Sequence, residues 1–331
     1  MVSIKDVAKL AGVSMMTVSR VINHAPTVHE RTKKRVQAAI TQLNYVPDHS
    51  AQKIRNQASR PRTIAILAED TATTPYSVDI LLAIEQTARS YNWNSYLINI
   101  FGKADFPRAE RQVLSLRPDA IICTTMGLRK ILLPSRISKI PTVLANCFCT
   151  ENHIPAYLPN DHEAQFQATQ HILQRGYLKP LCLWLPEEIV ATHYRRHAFE
   201  TAWRAAGLDP ASVRQYVMPI GDEQYTSFVS VIRRHIHHRR PEFDVILCGN
   251  DRIAFLVYQV LLAEGIRIPQ DVAVVGFDNM VGIGDLFMPP LTTIQLPHHE
   301  MGRQAALHII LERKNAGHTY LPTHLIIRES T

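Results

Sequence analysis

Near the N-terminus, Val7, Ala8 and Ala11 recur at helical spacing, Gly12 follows as a residue free to take the left-handed conformation, and Val18, Val21 and Ile22 resume the spacing. This pattern predicts two short helices joined by a tight turn across residues 5–23, KDVAKLAGVSMMTVSRVIN. Ser3 and Asp6 fit a capping box for the first helix, and Ser14 is placed to cap the second. A third helix is predicted over residues 30–43, with Val36, Ala39, Ile40 and Leu43 as its apolar stripe and Lys33, Lys34 and Arg35 outside it. Residues 49–56 follow as about two helical turns, too short to persist alone in water, and residues 57–62, with Pro61, form a linker. The expected organisation is a head at 1–48, a short helix and linker at 49–62, and a body at 63–331.

In the body the period changes. The apolar runs TIAILAE, SYLINIF, AIICTT and PTVLAN alternate with amphipathic stretches near residues 78–91 and 108–116, a βαβ series. A second series sets helices near 162–174, 194–206, 225–237 and 253–262 among the runs LCLWL, a stretch around Tyr216, DVILCGN and VAVVGFD. The fold class is therefore α/β: a small all-α head and two doubly wound parallel-sheet lobes. Pro289-Pro290-Leu291-Thr292-Thr293 is expected to carry the chain back to the first lobe, supplying another strand and a helix near 300–311. A ligand is expected between the lobes, outside the carboxyl ends of the strands.

Charge sharpens the picture of the head. Residues 1–60 hold ten Lys and Arg against Asp6, Glu30 and Asp48, a balance of +7 that equals the net charge of the whole 331-residue chain. A basic head on a neutral body is the electrostatic footprint of a nucleic-acid module joined to a sensing or catalytic one. With Val18, Val21 and Ile22 buried, Met15, Met16, Thr17, Ser19, Arg20 and Asn23 are left for a major groove and its flanking phosphates, the arrangement of a helix-turn-helix. The first ten residues lack the apolar core of a signal peptide and no stretch approaches a membrane span, so a cytosolic protein without membrane partners is expected. The five cysteines are odd in number, with Cys123, Cys182 and Cys248 inside apolar runs, as suits reduced thiols. Cys147 and Cys149 have no second Cys/His pair at zinc spacing, and His235, His237 and His238 fit a solvated helix end before Pro241, so neither a metal nor a cofactor is expected. GxxxxGK[ST], GxSxG and HExxH are all absent, which leaves an enzyme without a chemical anchor.

The head motif DVAKLAGVSMMTVSRVIN and the junction LNYVPD, together with CGND, VAVVGFDN and PPLTTI in the body, resemble the LacI/GalR family of bacterial transcription regulators over essentially the full length. The stretches TATTPYSVDILLAIEQTA, WNSYLINIF, TTMGLR and GIRIPQDVAVVGFDN resemble the members that govern sucrose use. The resemblance implies a periplasmic-binding-protein-like body and a homodimeric repressor that leaves operator DNA when a sugar, sucrose or fructose foremost, closes the cleft. It places Met15, Met16 and Arg20 at base edges and Thr17, Ser19, Asn23 and Thr32 at phosphates. Arg20 suits a guanine edge, whereas methionines offer only apolar contact. Ile54 stands where the family's hinge helix inserts a leucine into the minor groove; β-branching stiffens this wedge. His29 replaces the usual cap of the third helix, for which Thr27 and Glu30 form an alternative capping box.

For the cleft the resemblance implies Asn146, Arg195, Asn250 and Asp278, with Tyr76 and Ser77 from the first lobe. Asn146, Asn250 and Asp278 each end an apolar run, and Asn, Asp and Arg together suit vicinal hydroxyls, each of which needs a donor and an acceptor. Tyr76 or Trp184 is expected to face a sugar ring. No heptad extension follows THLIIR, so a dimer is expected rather than a coiled-coil tetramer. The rival expectations are a regulator strengthened on DNA by a purine corepressor and a sugar-binding transport protein. An enzyme stands third.

Overall fold

The computed structural model describes all residues except 1, 23, 24, 26, 27, 46–60, 72–74, 134, 135, 151, 152, 223 and 281–283, and of 75–77, 103 and 138 the backbone alone. The chain forms two compact units, residues 1–61 and 62–331.

In the first unit, α1 (Ile4–Ala11), α2 (Met15–Ile22) and α3 (Glu30–Gln42) enclose a small core of Val7, Ala8, Ala11, Val18, Val21, Val36 and Ala39. The caps follow the local chemistry. Asp6 accepts from the backbone N and Oγ of Ser3 at 2.8 and 2.7 Å, and Ser14 Oγ accepts from Thr17 N at 3.2 Å. Gly12 ends α1 in the left-handed conformation, φ +61. Arg35 does more than face solvent: its Nη2 donates to Ala11 O at 2.6 Å and to Gly12 O at 3.3 Å, so α3 satisfies carbonyls at the end of α1. α3 begins after His29, whose side chain makes no cap bond, and the capping box expected at Thr27 falls outside the described residues.

The second unit holds two lobes. In the first, β1 (Thr63–Glu69), β2 (Asn94–Ile100), β3 (Ala120–Lys130), β4 (Thr142–Phe148), β5 (Ala156–Pro159) and β13 (His318–Leu321) form a parallel sheet in the order β13-β5-β4-β3-β1-β2. Strand alternation decides the layers. Ile64 and Ile66 pack with Ile80 and Ile84 of α4 (Pro75–Ser90) and Met301 and Ala305 of α10 (His298–Ile310). Ala65 and Leu67 pack on the opposite face with Ala109 and Val113 of α5 (Phe106–Leu116). Gly302 permits the close approach of α10 to α4, since a Cβ there would strike the Ile80 carbonyl.

In the second lobe, β6 (Pro180–Trp184), β7 (Arg214–Val217), β10 (Val245–Cys248) and β11 (Ala273–Val275) form a parallel sheet in the order β11-β10-β6-β7. Cys182, Trp184, Val245 and Leu247 meet α6 (Asp161–Gln174) and α7 (Val190–Ala205) through Ala164, Ala168, Phe199 and Trp203. Leu181, Leu183 and Ile246 meet α8 (Ser227–Arg234) and α9 (Asp251–Ala263) on the other face.

Two expectations about this unit require correction. The helix expected over 225–237 is α8, Ser227–Arg234, and the rest folds back as a hairpin of β8 (Ile236–His237) and β9 (Arg240–Pro241). Glu242 gathers His235, His237 and Arg214 at 3.0, 3.2 and 2.9 Å, contacts that a continuing helix would not bring together. The Pro289–Thr293 segment does not return to the first lobe as a strand. Gly276 N donates to Thr292 O and Asp278 N to Ile294 O, which holds β12 (Thr293–Gln295) against the second lobe, where it pairs antiparallel with β14 (His324–Ile326). The extra first-lobe strand is β13, which follows α10.

Candidate functional site

In the head, Met15 and Met16 at the start of α2 are 47% and 65% exposed, adjacent apolar side chains on its outer surface. Arg20, on the last turn of α2, is exposed, while Thr17, Ser19 and Thr32 are half-buried. The Thr17 hydroxyl lies 3.0 Å from Ser14 Oγ, within the turn. The shape of the surface follows from the stripe: Val18 and Val21 are buried and Ile22 packs on the same core, which leaves Met15, Met16 and Arg20 as the exposed residues of α2. Asn23 and Ile54 lie outside the described residues.

In the second lobe, the carboxyl ends of β10 and β11 and the starts of α6 and α7 converge on Arg195. It sits in the second turn of α7, which begins at Val190 rather than at Tyr194 as expected, and is only 5% exposed. Its Nε donates to Asp161 Oδ1 at 2.7 Å, Nη2 lies 2.6 Å from the same oxygen, and Nη1 donates to Gly249 O at 2.7 Å. The guanidinium carbon rests 3.5 Å from the centroid of the Phe277 ring. Asp161 is the first residue of α6 and 2% exposed. The positive end of that helix favours a carboxylate there, and Arg195 supplies the counter-charge a buried carboxylate requires.

Asn250 caps α9: its Oδ1 accepts from Ile253 N at 2.9 Å, while Nδ2 donates to Tyr225 Oη at 3.3 Å. Asp278 follows β11 with φ +110, a backbone conformation that costs energy in any residue but glycine. Burial lifts its carboxyl well above the usual range; Arg195 opposes the rise, and Asp251 and Asp161 reinforce it. Asp251 accepts from Met280 N and Thr293 Oγ1, both at 2.7 Å, and burial pushes it up to about 6. His298, the first residue of α10, is pushed down to about 4 by burial and by Arg195, so it is neutral at physiological pH.

At the carboxyl ends of the first-lobe strands, neutral side chains stand beside an ion pair of Arg129 and Asp70 at 3.5 Å. Asn146, at φ +59 within β4, donates from Nδ2 to Thr125 O at 3.1 Å, and Thr125 Oγ1 donates to Asn146 O at 3.0 Å. Asn tolerates the left-handed region better than most residues, which accounts for its use at this sheet edge. Thr71 Oγ1 donates to Glu69 O and Thr124 O at 3.0 and 3.3 Å. Ile189 and Ala191, at the start of α7, pack in the first-lobe core, so the helix that carries Arg195 also touches the opposite lobe.

Arg195, Asn250 and Asp278 are thus brought to one wall and Asn146 to the other lobe. Tyr76 and Ser77 open α4, and their side chains lie outside the described residues. Trp184 is corrected: it is 1% exposed, donates from Nε1 to Gln215 at 2.9 Å and belongs to the core. Asp161, Phe277 and His298 also belong to this cluster, although their sequence positions did not mark them as cleft residues. The run AYLP closing on Asn160-Asp161 carried the same signal as the other strand ends, but it is only four residues long.

Comparisons with known proteins agree with this architecture. Residues 60–329 match the family of periplasmic binding proteins and the sugar binding domain of the LacI family, and residues 3–48 match the bacterial regulatory proteins of the lacI family. The sucrose operon repressor of Shigella flexneri is 59% identical over 331 residues, covering 100% of both chains. The transcriptional repressor PurR of Photobacterium profundum is 30% identical over 342 residues, covering 100% of this chain and 98% of its own. The crystal structure of the lac repressor dimer bound to operator and an anti-inducer superposes with a TM-score of 0.80 at 21% identity, covering 99% of this chain and 98% of that one. A helix-turn-helix head, two parallel-sheet lobes and full-length matches coincide in one molecule: the chain belongs to the LacI family of bacterial transcription regulators.

Proposed function

We propose that this protein is the repressor of a sucrose utilisation operon, binding its operator as a homodimer and leaving it when a sugar occupies the cleft. The observation that carries this reading is the 59% identity, without truncation on either side, to a sucrose operon repressor. The cleft supports it with amide, guanidinium and carboxylate groups in the mixture that vicinal hydroxyls demand. Met15, Met16 and Arg20 read base edges in this scheme, Thr17, Ser19, Asn23 and Thr32 hold phosphates, and residues 49–62 act as hinge helix and linker, with Ile54 wedged in the minor groove. Asn146, Arg195, Asn250 and Asp278 bind the sugar, assisted by Tyr76 and Ser77.

Phe255 and Leu262, seven residues apart on α9 and 53% and 59% exposed, join Leu286 and Met288 as an apolar surface suited to a second copy of the chain. The five cysteines are free and buried, in keeping with a cytoplasmic protein. The protein acts by binding rather than by catalysis. A sugar that favours the DNA-free form by about 1–3 kcal/mol lowers operator affinity roughly 5- to 150-fold. The alternative is a regulator whose DNA binding a purine corepressor strengthens.

The test is fluorescence anisotropy of the full chain on the DNA upstream of its operon, at stated salt, with sucrose, fructose, glucose, raffinose and purines. Release by sucrose or fructose is the expected result; tighter binding with a purine overturns it. Ile54→Gly is expected to weaken operator binding while leaving sugar affinity nearly unchanged, as measured by titration calorimetry. Equal loss of both would remove the hinge from the scheme.

A further inference from the structure

The segment Arg233–Arg240, RRHIHHRR, carries four arginines and three histidines and no acidic residue. Its second half folds as the β8–β9 hairpin, in which His237 pairs with Arg240, and His238 and Arg239 form the two-residue turn. Both turn residues lie at positive φ, +49 and +63. A two-residue turn of this kind favours Asn-Gly, Asp-Gly or Gly-Gly, because such residues take the left-handed region at little cost. A histidine followed by an arginine is a strained choice. The base of the hairpin holds it in place: Glu242 binds His235, His237 and Arg214, and His235 also lies 2.8 Å from Tyr216 Oη. Strain that surrounding contacts maintain gathers at functional segments, and here it presents charge at the tip of a fixed projection.

A groove of about 500 Å³ adjoins the hairpin, lined by Leu178, Lys179, Pro180, Val213, Arg214 and Glu242. It opens at the amino ends of β6 and β7, the end of the second-lobe sheet opposite the cleft. Asp244 accepts from the backbone N of Leu178 and of Lys179 at 2.8 and 2.9 Å, in a turn that leaves Leu178 58% exposed. Glu242 belongs to both features, since it lines the groove and holds the hairpin.

The charges of this surface do not cancel. Glu242 is taken by Arg214 and two histidines, Glu264 by Arg233 at 3.0 Å, Asp244 by backbone N–H groups and Asp209 by Ala211 N. Lys179, Arg234, Arg239 and Arg240 are exposed and have no carboxylate partner among the described residues. The Arg239 guanidinium lies beside Gly265, which brings no charge. Free cations beside an apolar floor suit a partner that carries both carboxylates and an apolar side chain. A nucleic-acid backbone supplies the anions but nothing to cover Leu178, Pro180 and Val213. An acidic polypeptide supplies both.

We propose that the β8–β9 hairpin and its groove form a docking surface for an acidic polypeptide partner, which lays an apolar side chain on Leu178 and sets carboxylates against Lys179, Arg234, Arg239 and Arg240. The surface and the Arg195 cluster stand at opposite ends of the second-lobe sheet, so the partner and a sugar use separate faces.

Fluorescence anisotropy of the full chain, its head occupied by the DNA upstream of its operon, tests this with a fluorescein-labelled peptide of repeated Glu-Leu-Asp. Saturable binding that weakens as salt rises is expected. A variant carrying Arg234→Ser, Arg239→Ser and Arg240→Ser, shown folded by a thermal melt, is expected to bind the peptide at least about tenfold less tightly. Leu178→Ser should weaken it as well, and operator and sugar affinities should not change in either variant. Arg239→Gly adds a readout that a merely structural role would not give. Glycine suits the positive φ, so the melting temperature should hold or rise while the peptide binds less tightly. Absence of saturable binding, equal binding by the triple variant, or equal binding of a Glu-Gln-Asp peptide overturns the inference. Displacement of the peptide by duplex DNA lacking the operator overturns it too, by making this a nucleic-acid surface.

Discussion

The second lobe meets the cleft with Arg195 clamped between Asp161 and the Gly249 carbonyl, with Asp278 close by, whereas the first lobe meets it with Asn146 and Thr125 bonded to each other's backbone. The first arrangement is fixed before any ligand arrives, because a buried ion pair that lost its geometry would expose each charge to a low-dielectric surrounding. The second consists of neutral groups whose rearrangement costs far less. A two-lobed protein that responds to a ligand benefits from this division: one wall orients the ligand, and the other is drawn onto it. Differential contact of this kind is what converts binding into a shift between conformations.

The largest effect should come from breaking the clamp. Arg195→Ala leaves Asp161 buried without its counter-charge and is expected to cost about 3–5 kcal/mol of stability, along with sugar binding. Denaturant melts with and without sugar check both; a variant as stable as the parent would mean that the wall is not preorganised by this pair. Gly302→Ala, in the first lobe, places a methyl against the Ile80 carbonyl where α10 crosses α4, and is expected to cost about 1–3 kcal/mol through overpacking. Denaturant melts of this variant against the parent measure the loss.

A smaller effect concerns protons. His298 has its folded pKa depressed to about 4 from an ordinary value near 6.5. The unfolded chain therefore binds the proton more readily between these values, and the stability His298 contributes is present above about pH 6.5 and lost as pH falls towards 4, on the order of 1–2 kcal/mol after screening. His298→Gln should flatten this part of the pH–stability curve, as read from melting temperature against pH. Asp251, raised to about 6, has the opposite sign: its contribution is present below about pH 4 and lost as pH rises through 6. The smallest effect is expected at Asn146→Ala. It removes the bond to Thr125 O and leaves alanine at positive φ, for roughly 1–2 kcal/mol of stability, with a modest loss of sugar affinity by calorimetry.

The head was legible because its evidence is local. Val7, Ala8, Ala11, Val18 and Val21 are buried as their spacing foretells, and Gly12 turns the chain where the pattern breaks. The ends of β10 and β11 were legible for a related reason, since Asn250 and Asp278 close apolar runs. Asp161 was not, although it stands only 34 residues from Arg195, because a carboxylate after a four-residue run resembles an ordinary helix cap until its partner is known. Trp184 misled for the converse reason. An aromatic at a strand end is compatible with a ligand platform or a core, and the packing of Phe199 and Trp203 against it decides for the core.

By itself the sequence determined the periods: helical spacing in the head, alternating runs in the body, the basic charge of residues 1–60 and the polar residues that end strands. These depend on neighbours along the chain, which a linear pattern records. The tertiary structure alone decided that Arg195 lies on Asp161, that β12 stays with the second lobe while β13 extends the first, and that His298 reaches the same cluster. Charge compensation and burial are properties of surfaces that meet only after folding, so no local pattern of residues encodes which carboxylate will face which guanidinium.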